Sequence, residues 1–558
     1  EGMSVASVIE PLRATFQTTQ EERAKTFVGL PPEYLRAFLS RTLMAEAATA
    51  GVSGFQKTYT RALAALAGFV ALVLLIACAN ISNLRLAQAS ARSREMALRV
   101  AIGAGRGRLI QLMLVESARV AGAGAAVGAI VAWASAPVVV SRLSGPGQAL
   151  SLALPIDGRI AAFGLALTVV VALLFGLLPA LRVSGTSALV ALKGALAAGP
   201  QRQRLDVAVA AQIAFCALVL LVGGLFVSTY KRLSAQPTGF SAERVIDLDT
   251  VAQPSQPLPA WNDLIARLQA TPGVEAAAAA QFALLSGDRS TGFIWINGAA
   301  TTTTLAYFLG VTPGWFHVMD IPLVDGRDFR DTDPAPGVAI VNEAFAKEYF
   351  PGRNPLGQWF DRQLGAATRP SYQVVGLVRN ARYQNLRETM TPTVYVPLGV
   401  VSSTSAPRPL AEATLVVRTS AADPTTLAAA LRQTIRASPG FRVHAAETQQ
   451  DIDEAQVVRE RLLAALAWFF TSVALALTGV GIYGVVFYTV EQRQRDIGIC
   501  RALGAPAGAI VRRVTAPLAA MLVAGTLGGL AAGLLVVRSF TALFYGVRAT
   551  DALQLAVP

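Results

Sequence analysis

Six apolar runs, each close to the length of a bilayer crossing, leave this chain few ways to fold. They lie at about 62–81, 112–140, 160–181, 207–229, 462–488 and 514–537. A helix needs roughly 20 apolar residues to cross the hydrocarbon core. Lipid offers the peptide groups of such a run no hydrogen-bond partner, so each run has to satisfy its own backbone as a helix. With 53% hydrophobic and only 15% charged residues, and a mean hydropathy of +0.48, the 558 residues lie outside the composition of soluble proteins.

Charge orients the runs. The formal net charge of +13 would suit nucleic acid, but residues 230–461 hold nearly equal acids and bases, so the excess lies beside the apolar runs. That is the positive-inside pattern, and nucleic acid is excluded as a partner. Arg85, Arg92, Arg94, Arg99, Arg106 and Arg108 stand against the single acid Glu95 after the first run. Arg182, Lys193, Arg202 and Arg204 mark a second basic loop, and Arg493, Arg495, Arg501, Arg512 and Arg513 a third. These loops are expected in the cytoplasm, and 230–460 on the opposite side. Cys78, Cys216 and Cys500 lie in or beside apolar runs, so neither a disulfide framework nor a metal-ligand spacing is present.

The loops also repeat. RSREMALRVAIGA at 92–104 and RQRDIGICRALGA at 493–505 share a basic residue, one carboxylate and a closing Gly-Ala, with Glu95 and Asp496 lying 401 residues apart. The same offset carries Gly124 onto Gly525 and Gly128 onto Gly529, with Gly533 continuing the second series. Small residues at this spacing allow helices to approach closely in lipid. Two tandem membrane halves are therefore expected. Each basic loop has two readings, a helix on anionic lipid or a docking helix for a protein. In the first, Arg92, Glu95, Arg99 and Arg106 share a helical face while Leu98 and Ile102 lie elsewhere. A central carboxylate has no use on an anionic surface and favours the protein partner.

Between the halves, 230–460 is soluble in composition. VAIVNEAFAKEYFPG at 338–352 reads as strand, Asn342 as N-cap, a short helix and a Pro-Gly stop. SYQVVGLVRNARY at 371–383 and PTVYVPL at 392–398 read as strands, and Asp423-Pro424 opens a helix to about Ala437. Strands mixed with short helices indicate an α+β domain. Pro31-Pro32 breaks the opening segment 1–60, where an amphipathic helix is expected from Glu33 to about Ala48. No Gly or Pro occurs from Asp451 to Trp468, so a continuous helical stalk is expected there.

Chemistry-bearing motifs are sparse. GVGIYG at 479–484 satisfies GxGxxG but lies inside an apolar run, where glycine serves helix packing. STYK at 228–231 lacks the other elements of a serine acyl-enzyme. His317 and His444, the only histidines, have no HExxH or triad context, and no GxxxxGK[ST] phosphate loop occurs. Few ionisable groups lie deep in the runs: Glu116 and Arg119 are close to the cytoplasmic end of theirs and Gln212 is uncharged, which argues against the proton or ion relay of a secondary transporter.

REMALRVAIGA and RDIGICRALGA resemble the cytoplasmic signature of the MacB/FtsX-type permeases of ABC transporters. VTPGWFHVMDIPLVDGRDF, VNEAFAKEYFPGRNPLGQWF and YQVVGLVRNARYQNLRETMTPTVYVPL are similar to the periplasmic core domain of that family. The duplication is similar to its tandem, acidobacterial-type members. The resemblance implies an α-helical membrane bundle with an α+β periplasmic domain, in two tandem permease halves. The expected divisions are 1–60, the tail of a first periplasmic domain; 61–182, a first FtsX-like membrane domain; 183–206, a cytoplasmic linker; 207–229, the opening span of the second half; 230–460, a MacB-like periplasmic core domain; and 461–558, a second FtsX-like domain. The first half's opening helix and the second half's last span are expected beyond the two ends.

The resemblance further implies a non-enzymatic, multi-pass protein of a bacterial inner membrane, working by mechanotransmission for export or extraction. A separate cytoplasmic ATPase dimer would carry ATP and magnesium. It would dock on Arg92, Glu95, Arg99 and Gly103 in the first loop and on Arg493, Asp496, Arg501 and Gly504 in the second. Cys500 stands where the first copy has Arg99, and Val100 where the second has Arg501. Membrane lipid and a periplasmic adaptor or outer-membrane protein are further expected partners. The alternative is an FtsX-like signalling protein that controls a periplasmic cell-wall hydrolase.

The orientation is testable with single cysteines in a cysteine-free background and an impermeant thiol reagent on spheroplasts. Ser402 should be labelled and Gln111 protected; the reverse would overturn the topology.

Overall fold

The computed structural model describes residues 5–25, 27, 32–44, 54–91, 106–143, 158–184, 198–300, 304–363, 369–399, 409–492 and 494–539. They divide into two units, one of soluble character around Ala235–Val458 and one of long helices.

The chain opens with α1 (Val5–Lys25) and α2 (Pro32–Leu39). Helix α2 is shorter than expected: it ends at Leu39, and the Ser40 hydroxyl donates to the Ala37 carbonyl at 3.0 Å, turning the chain. Four long helices follow, α3 (Gly54–Ala91), α4 (Arg106–Leu143), α5 (Gly158–Ser184) and α6 (Ala198–Ser234).

The soluble unit runs through β1 (Val245–Gln256), α7 (Leu258–Gln269), β2 (Val274–Ala280), β3 (Thr291–Ile296), β4 (Ala299–Ala300), β5 (Ala306–Val311) and α8 (Trp315–Met319). It continues with β6 (Leu323–Gly326), β7 (Val338–Asn342), α9 (Glu343–Tyr349), β8 (Trp359–Gln363), β9 (Ser371–Val378), β10 (Thr393–Pro397) and β11 (Leu410–Thr419). It closes with α10 (Ala428–Arg436), β12 (Phe441–Thr448) and α11 (Gln449–Ala455). The chain then enters α12 (Val458–Gln492), α13 (Gln494–Ala502) and α14 (Ala507–Ser539).

Two cores organise the soluble unit. Strands β12, β1, β11 and β2 form an antiparallel sheet whose Ile246, Leu248, Leu415 and Val417 pack under α7 and α10. Helix α7 contributes Trp261, Leu264, Ile265 and Leu268, and α10 contributes Leu431 and Ile435, the one-face spacing of an amphipathic helix. Beyond β2, β5 pairs with both β10 and β3, so β5, β10, β7, β9, β8 and β3 close into a ring. Phe308, Val341, Phe360, Tyr372 and Val394 belong to its core, with Phe345 of α9. The ring removes exposed strand edges that would otherwise pair with other chains.

The expected strand–cap–helix unit is present, with Asn342 as the N-cap of α9. The helix expected after Asp423 begins as a 3₁₀ turn, Pro424–Leu427, capped by the Asp423 carboxylate, before becoming α10.

The stalk is not continuous. Helix α11 ends at Ala455, and α12 starts at Val458. Between them Gln456 N–H and Val457 N–H close tight turns onto the Asp453 and Glu454 carbonyls, while Gln456 Nε2 donates to the Leu285 carbonyl at 2.6 Å. A tertiary bond to a residue 171 positions away breaks a segment whose own composition favours helix.

Among the described residues, five helical segments are long and apolar enough to cross a membrane: Leu63–Ile81, Leu114–Val138, Val207–Ser234, Val458–Glu491 and Ala507–Val536. Gly158–Leu173 is a shorter apolar stretch, in the run expected at 160–181. Trp133, Phe163, Phe469 and Tyr483 are exposed on these helices, which suits a lipid-facing surface.

Asn342 gives a direct test of the ring's construction. Its fully buried Oδ1 accepts from Phe345 N–H and Thr393 N–H, both at 2.9 Å, and its Nδ2 donates to the Thr391 carbonyl at 2.9 Å. Asn342→Ala orphans two buried amides and should cost about 3 kcal/mol, at roughly 1–3 kcal/mol for each. Asn342→Ser keeps a cap acceptor and should lose about half as much. Urea unfolding followed by tryptophan fluorescence measures both, and equal losses would refute the acceptor argument.

Candidate functional site

The second basic loop shows what its sequence pattern builds. Helix α13 runs from Gln494 to Ala502 and ends where Gly504 adopts φ +82°. Gly504 N–H donates to the Arg501 carbonyl at 3.1 Å and Ala505 N–H to the Cys500 carbonyl at 3.0 Å. This bond pair is the Schellman stop, which places its C′ residue in the left-handed region that glycine tolerates best. Pro506 follows, and α14 starts at Ala507. The Gly-Ala that closes the motif therefore ends a short helix and turns the chain into the next long one.

The surface of α13 is mixed. Ile499 and Leu503, one helical turn apart, are 51% and 82% exposed, and Arg501, Arg512 and Arg513 are exposed as well. Arg513 reaches the Cys500 sulfur at 3.9 Å. Sequence reasoning missed the apolar pair, although the 401-residue offset carries Leu98 onto Ile499 and Ile102 onto Leu503. Asp496 lies on α13, but its side chain is not among those described. Arg92, Glu95, Arg99, Gly103 and Arg493 lie outside the described residues.

The packing glycines separate into two groups. A Cβ at Gly525 of α14 would stand 2.7 Å from the Ala210 carbonyl oxygen and 2.8 Å from Ile213 Cβ of α6. One at Gly529 would strike the Ala214 carbonyl and lie 2.7 Å from Ala217 Cβ, and one at Gly533 would lie 2.5 Å from Leu221 Cδ2. Three successive turns of α14 thus lie directly on α6. Around Gly124 and Gly128 of α4, no described atom comes within 4 Å of the equivalent position.

A polar contact joins α3, α6 and α12. Asn80 Nδ2 donates to the Leu477 carbonyl, and both the Asn80 side-chain oxygen and Gln212 Nε2 crowd the space above Gly481. Gly481 is the middle glycine of GVGIYG, and its missing side chain makes room for the two amides. Gly223 of α6 similarly admits Thr471 of α12. Phe69 and Ile76 of α3 pack with Val219, Leu225 and Phe226 of α6 and with Ala467 and Ala474 of α12. Leu477, Gly481 and Ala474 lie on α12, which precedes the second basic motif in the chain, and Asn80 on α3, which precedes the first.

In the soluble unit, the most recognisable motif residues act as braces. Gly314 N–H donates to Asp328 Oδ2 at 3.1 Å, while Trp315 and Phe316 pack against Tyr395 with ring centroids 5.5 and 4.9 Å apart. Arg327 binds Asp333 through two hydrogen bonds of 2.7 and 2.8 Å, holding that carboxyl below the usual carboxylate range. Buried Arg382 donates to the Pro237 carbonyl at 3.2 Å and the Leu386 carbonyl at 2.9 Å. His317 lies on α8 and His444 on β12. Among the described residues, no group of three His, Cys, Asp or Glu side chains could hold a metal ion.

The family model described as the MacB-like periplasmic core domain matches residues 208–434, and that of the FtsX-like permease C-terminal matches 67–188. The uncharacterised ABC transporter permease YknZ of Bacillus subtilis is 23% identical over 233 residues, which cover 40% of this chain and 55% of that protein. The macrolide export ATP-binding/permease protein MacB of Rhodospirillum rubrum is 26% identical over 233 residues, 40% of this chain and 34% of the relative. The pyoverdine export ATP-binding/permease protein PvdT of Pseudomonas aeruginosa is 23% identical over 234 residues, 41% and 34% of the two chains. The matched region thus spans about half of the first relative and a third of the other two. The crystal structure of the periplasmic region of MacB from Actinobacillus actinomycetemcomitans aligns with 40% of this chain and 96% of its own, at 13% identity. Its TM-score of 0.27 is too low to support an argument.

The glycine contacts predict unequal tolerance. Gly529→Val should destabilise the bundle by about 1–3 kcal/mol through overpacking, while Gly128→Val should change little. Thermal denaturation of the detergent-solubilised protein compares them, and equal effects would remove the case for close approach at Gly529.

Proposed function

With the chain belonging to the MacB/FtsX type of ABC-transporter permease, we propose that it couples a separate cytoplasmic ATPase dimer to movement of its periplasmic core domain, for export or extraction of a substrate. The observation that carries this reading is α13: a short helix with a fixed stop, exposed Ile499 and Leu503, and surrounding arginines. Apolar side chains flanked by cations would also suit an anionic lipid surface; the carboxylate that each loop carries, Glu95 or Asp496, is what favours a protein partner. The first loop, with Arg92, Glu95, Arg99 and Gly103, would dock in the same way as the second, with Arg493, Asp496, Arg501 and Gly504.

In this reading, 61–182 and 461–558 act as two FtsX-like halves of one polypeptide in the bacterial inner membrane, with 230–460 in the periplasm. ATP and magnesium belong, in the same reading, to the separate subunit; no phosphate-cradling loop occurs in these 558 residues. Closure of the ATPases would pull on both loops and travel through the long helices to the core domain. The contact of Asn80 with Leu477 supports this path, because it ties the helix leading into the first loop to the one leading into the second. Motion of one loop is then passed to the other. The export named for the MacB and PvdT relatives supports outward transport as the task.

Charge reversal tests the docking. An exposed i,i+4 pair such as Glu95 with Arg99 contributes only about 0.3–0.5 kcal/mol to its helix. A charge reversed within a desolvated contact costs about 2 kcal/mol or more. Glu95→Lys should weaken association with the cognate ATPase strongly, Asp496→Lys less, and Cys500→Arg should recover part of the second loss. Pull-down at fixed salt measures this. Unchanged association in both lysine variants, with normal folding, would return the loops to the lipid surface.

A further inference from the structure

Strand β1 carries Asp247 and Asp249 on one face, since residues two apart share a face. In the antiparallel ladder Asp247 stands directly opposite Glu447 of β12, and Asp249 opposite Ala445. Helix α11 packs on β1 and β12 and carries Asp453, whose charge acts on Asp247. Asp247 is only 3% exposed, and neither of its side-chain oxygens has a hydrogen-bond partner among the described residues. A buried, unpaired carboxylate facing others of its own sign resists ionisation.

The neighbouring elements supply no described cation to relieve it. From β11, Val416 and Thr414 lie opposite the two aspartates, and Thr414 Oγ1 donates to Asp249 at 2.7 Å. Arg418 lies further along β11 and donates to the carbonyls of Val318, Glu243 and Ser241 at 2.7, 3.2 and 3.2 Å. Arg442 of β12 is exposed opposite Val251. Helix α11 adds Asp451, engaged in the capping box with Thr448, and the exposed Glu454. Gln449 Nε2 donates to Asp453 Oδ1 at 3.1 Å and to the Leu284 carbonyl at 3.0 Å.

We propose that Asp247 and Asp453 form a proton-operated latch: protonation keeps α11 seated on β1 and β12, and its loss frees α11 and loosens the chain's entry into α12. Burial, followed by repulsion from Asp249, Asp453 and Glu447, pushes Asp247 well above the usual carboxylate range. Burial pushes Asp453 up to about 7, with the Gln449 bond opposing it, and also raises Glu447. A carboxyl raised in the seated state binds its proton more tightly there than when α11 is released. Seating is therefore strongest at low pH and weakens as pH rises from the ordinary carboxylate range, with the Asp453 contribution gone above about 7. The latch is independent of how the basic loops are read, since it depends only on the soluble unit and on α11 preceding α12 in the chain.

Hydrogen exchange on the full chain in lipid nanodiscs tests it from pH 5 to 8.5, with exchange times brought to a common intrinsic rate. Protection of residues 449–457 should fall as pH rises from about 5 towards 7, by roughly tenfold per pH unit for each proton released on opening, while β7 stays protected. Asp453→Asn should make the slope shallower and the double substitution Asp247→Asn/Asp453→Asn should keep α11 protected with no slope, whereas Asp451→Asn, which weakens the cap and leaves the latch pair in place, should keep the slope. A flat profile in the unsubstituted chain, an unchanged slope in Asp453→Asn, or an equal slope in β7 would overturn the latch.

Discussion

Lipid gives a peptide group no hydrogen-bond partner and gives two apolar helices little hydrophobic reason to associate. The first condition makes helices of the apolar runs; the second means that something other than apolarity must hold them together. Here the contacts come from absent side chains. Gly525, Gly529 and Gly533 place the backbone of α14 against Ala210, Ala214, Ala217 and Leu221 of α6, where dispersion acts at short range. Gly223 and Gly481 do the same for α12, and at Gly481 the space is filled by the amides of Asn80 and Gln212. The soluble unit obeys the opposite rule. Its cores around Trp261 and Phe345 are large side chains buried from water, and its conspicuous glycines serve turns.

Much of this was legible in the sequence because the signals are local. Apolar length marked the long helices, and Asn342 with the Pro-Gly stop marked α9, since a cap and a terminator act within a few residues of the helix they bound. What escaped depends on partners remote in sequence. The break after Ala455 comes from Gln456 reaching Leu285, and the closed ring from β3 pairing with β5, neither of which leaves a local trace. Asp247 lies in VIDLD, whose alternation of apolar and acidic residues reads as a strand with one solvent-facing side. Only the arrival of α11 over that side makes the aspartate a buried group. The apolar pair on α13 did leave a local trace: Leu98 and Ile102 stand off the charged face of the first loop, and the same offset repeats them as Ile499 and Leu503.

The duplicated motifs show how far identical letters can determine structure. Gly504 needs only its own helix to form a stop, because every bond in it joins residues at most five apart. A stop of this kind is therefore a property that its own short stretch of sequence can carry. Gly525 and Gly529 are different: their lack of side chains becomes a contact only because α6 presents Ala210, Ala214 and Ala217 to them. Gly124 and Gly128 repeat the letters on α4 without a described atom close by. A glycine pair therefore encodes permission to approach, while the approach itself is encoded in the small residues of another helix. Duplicating one member of such a pair copies only half of the interaction.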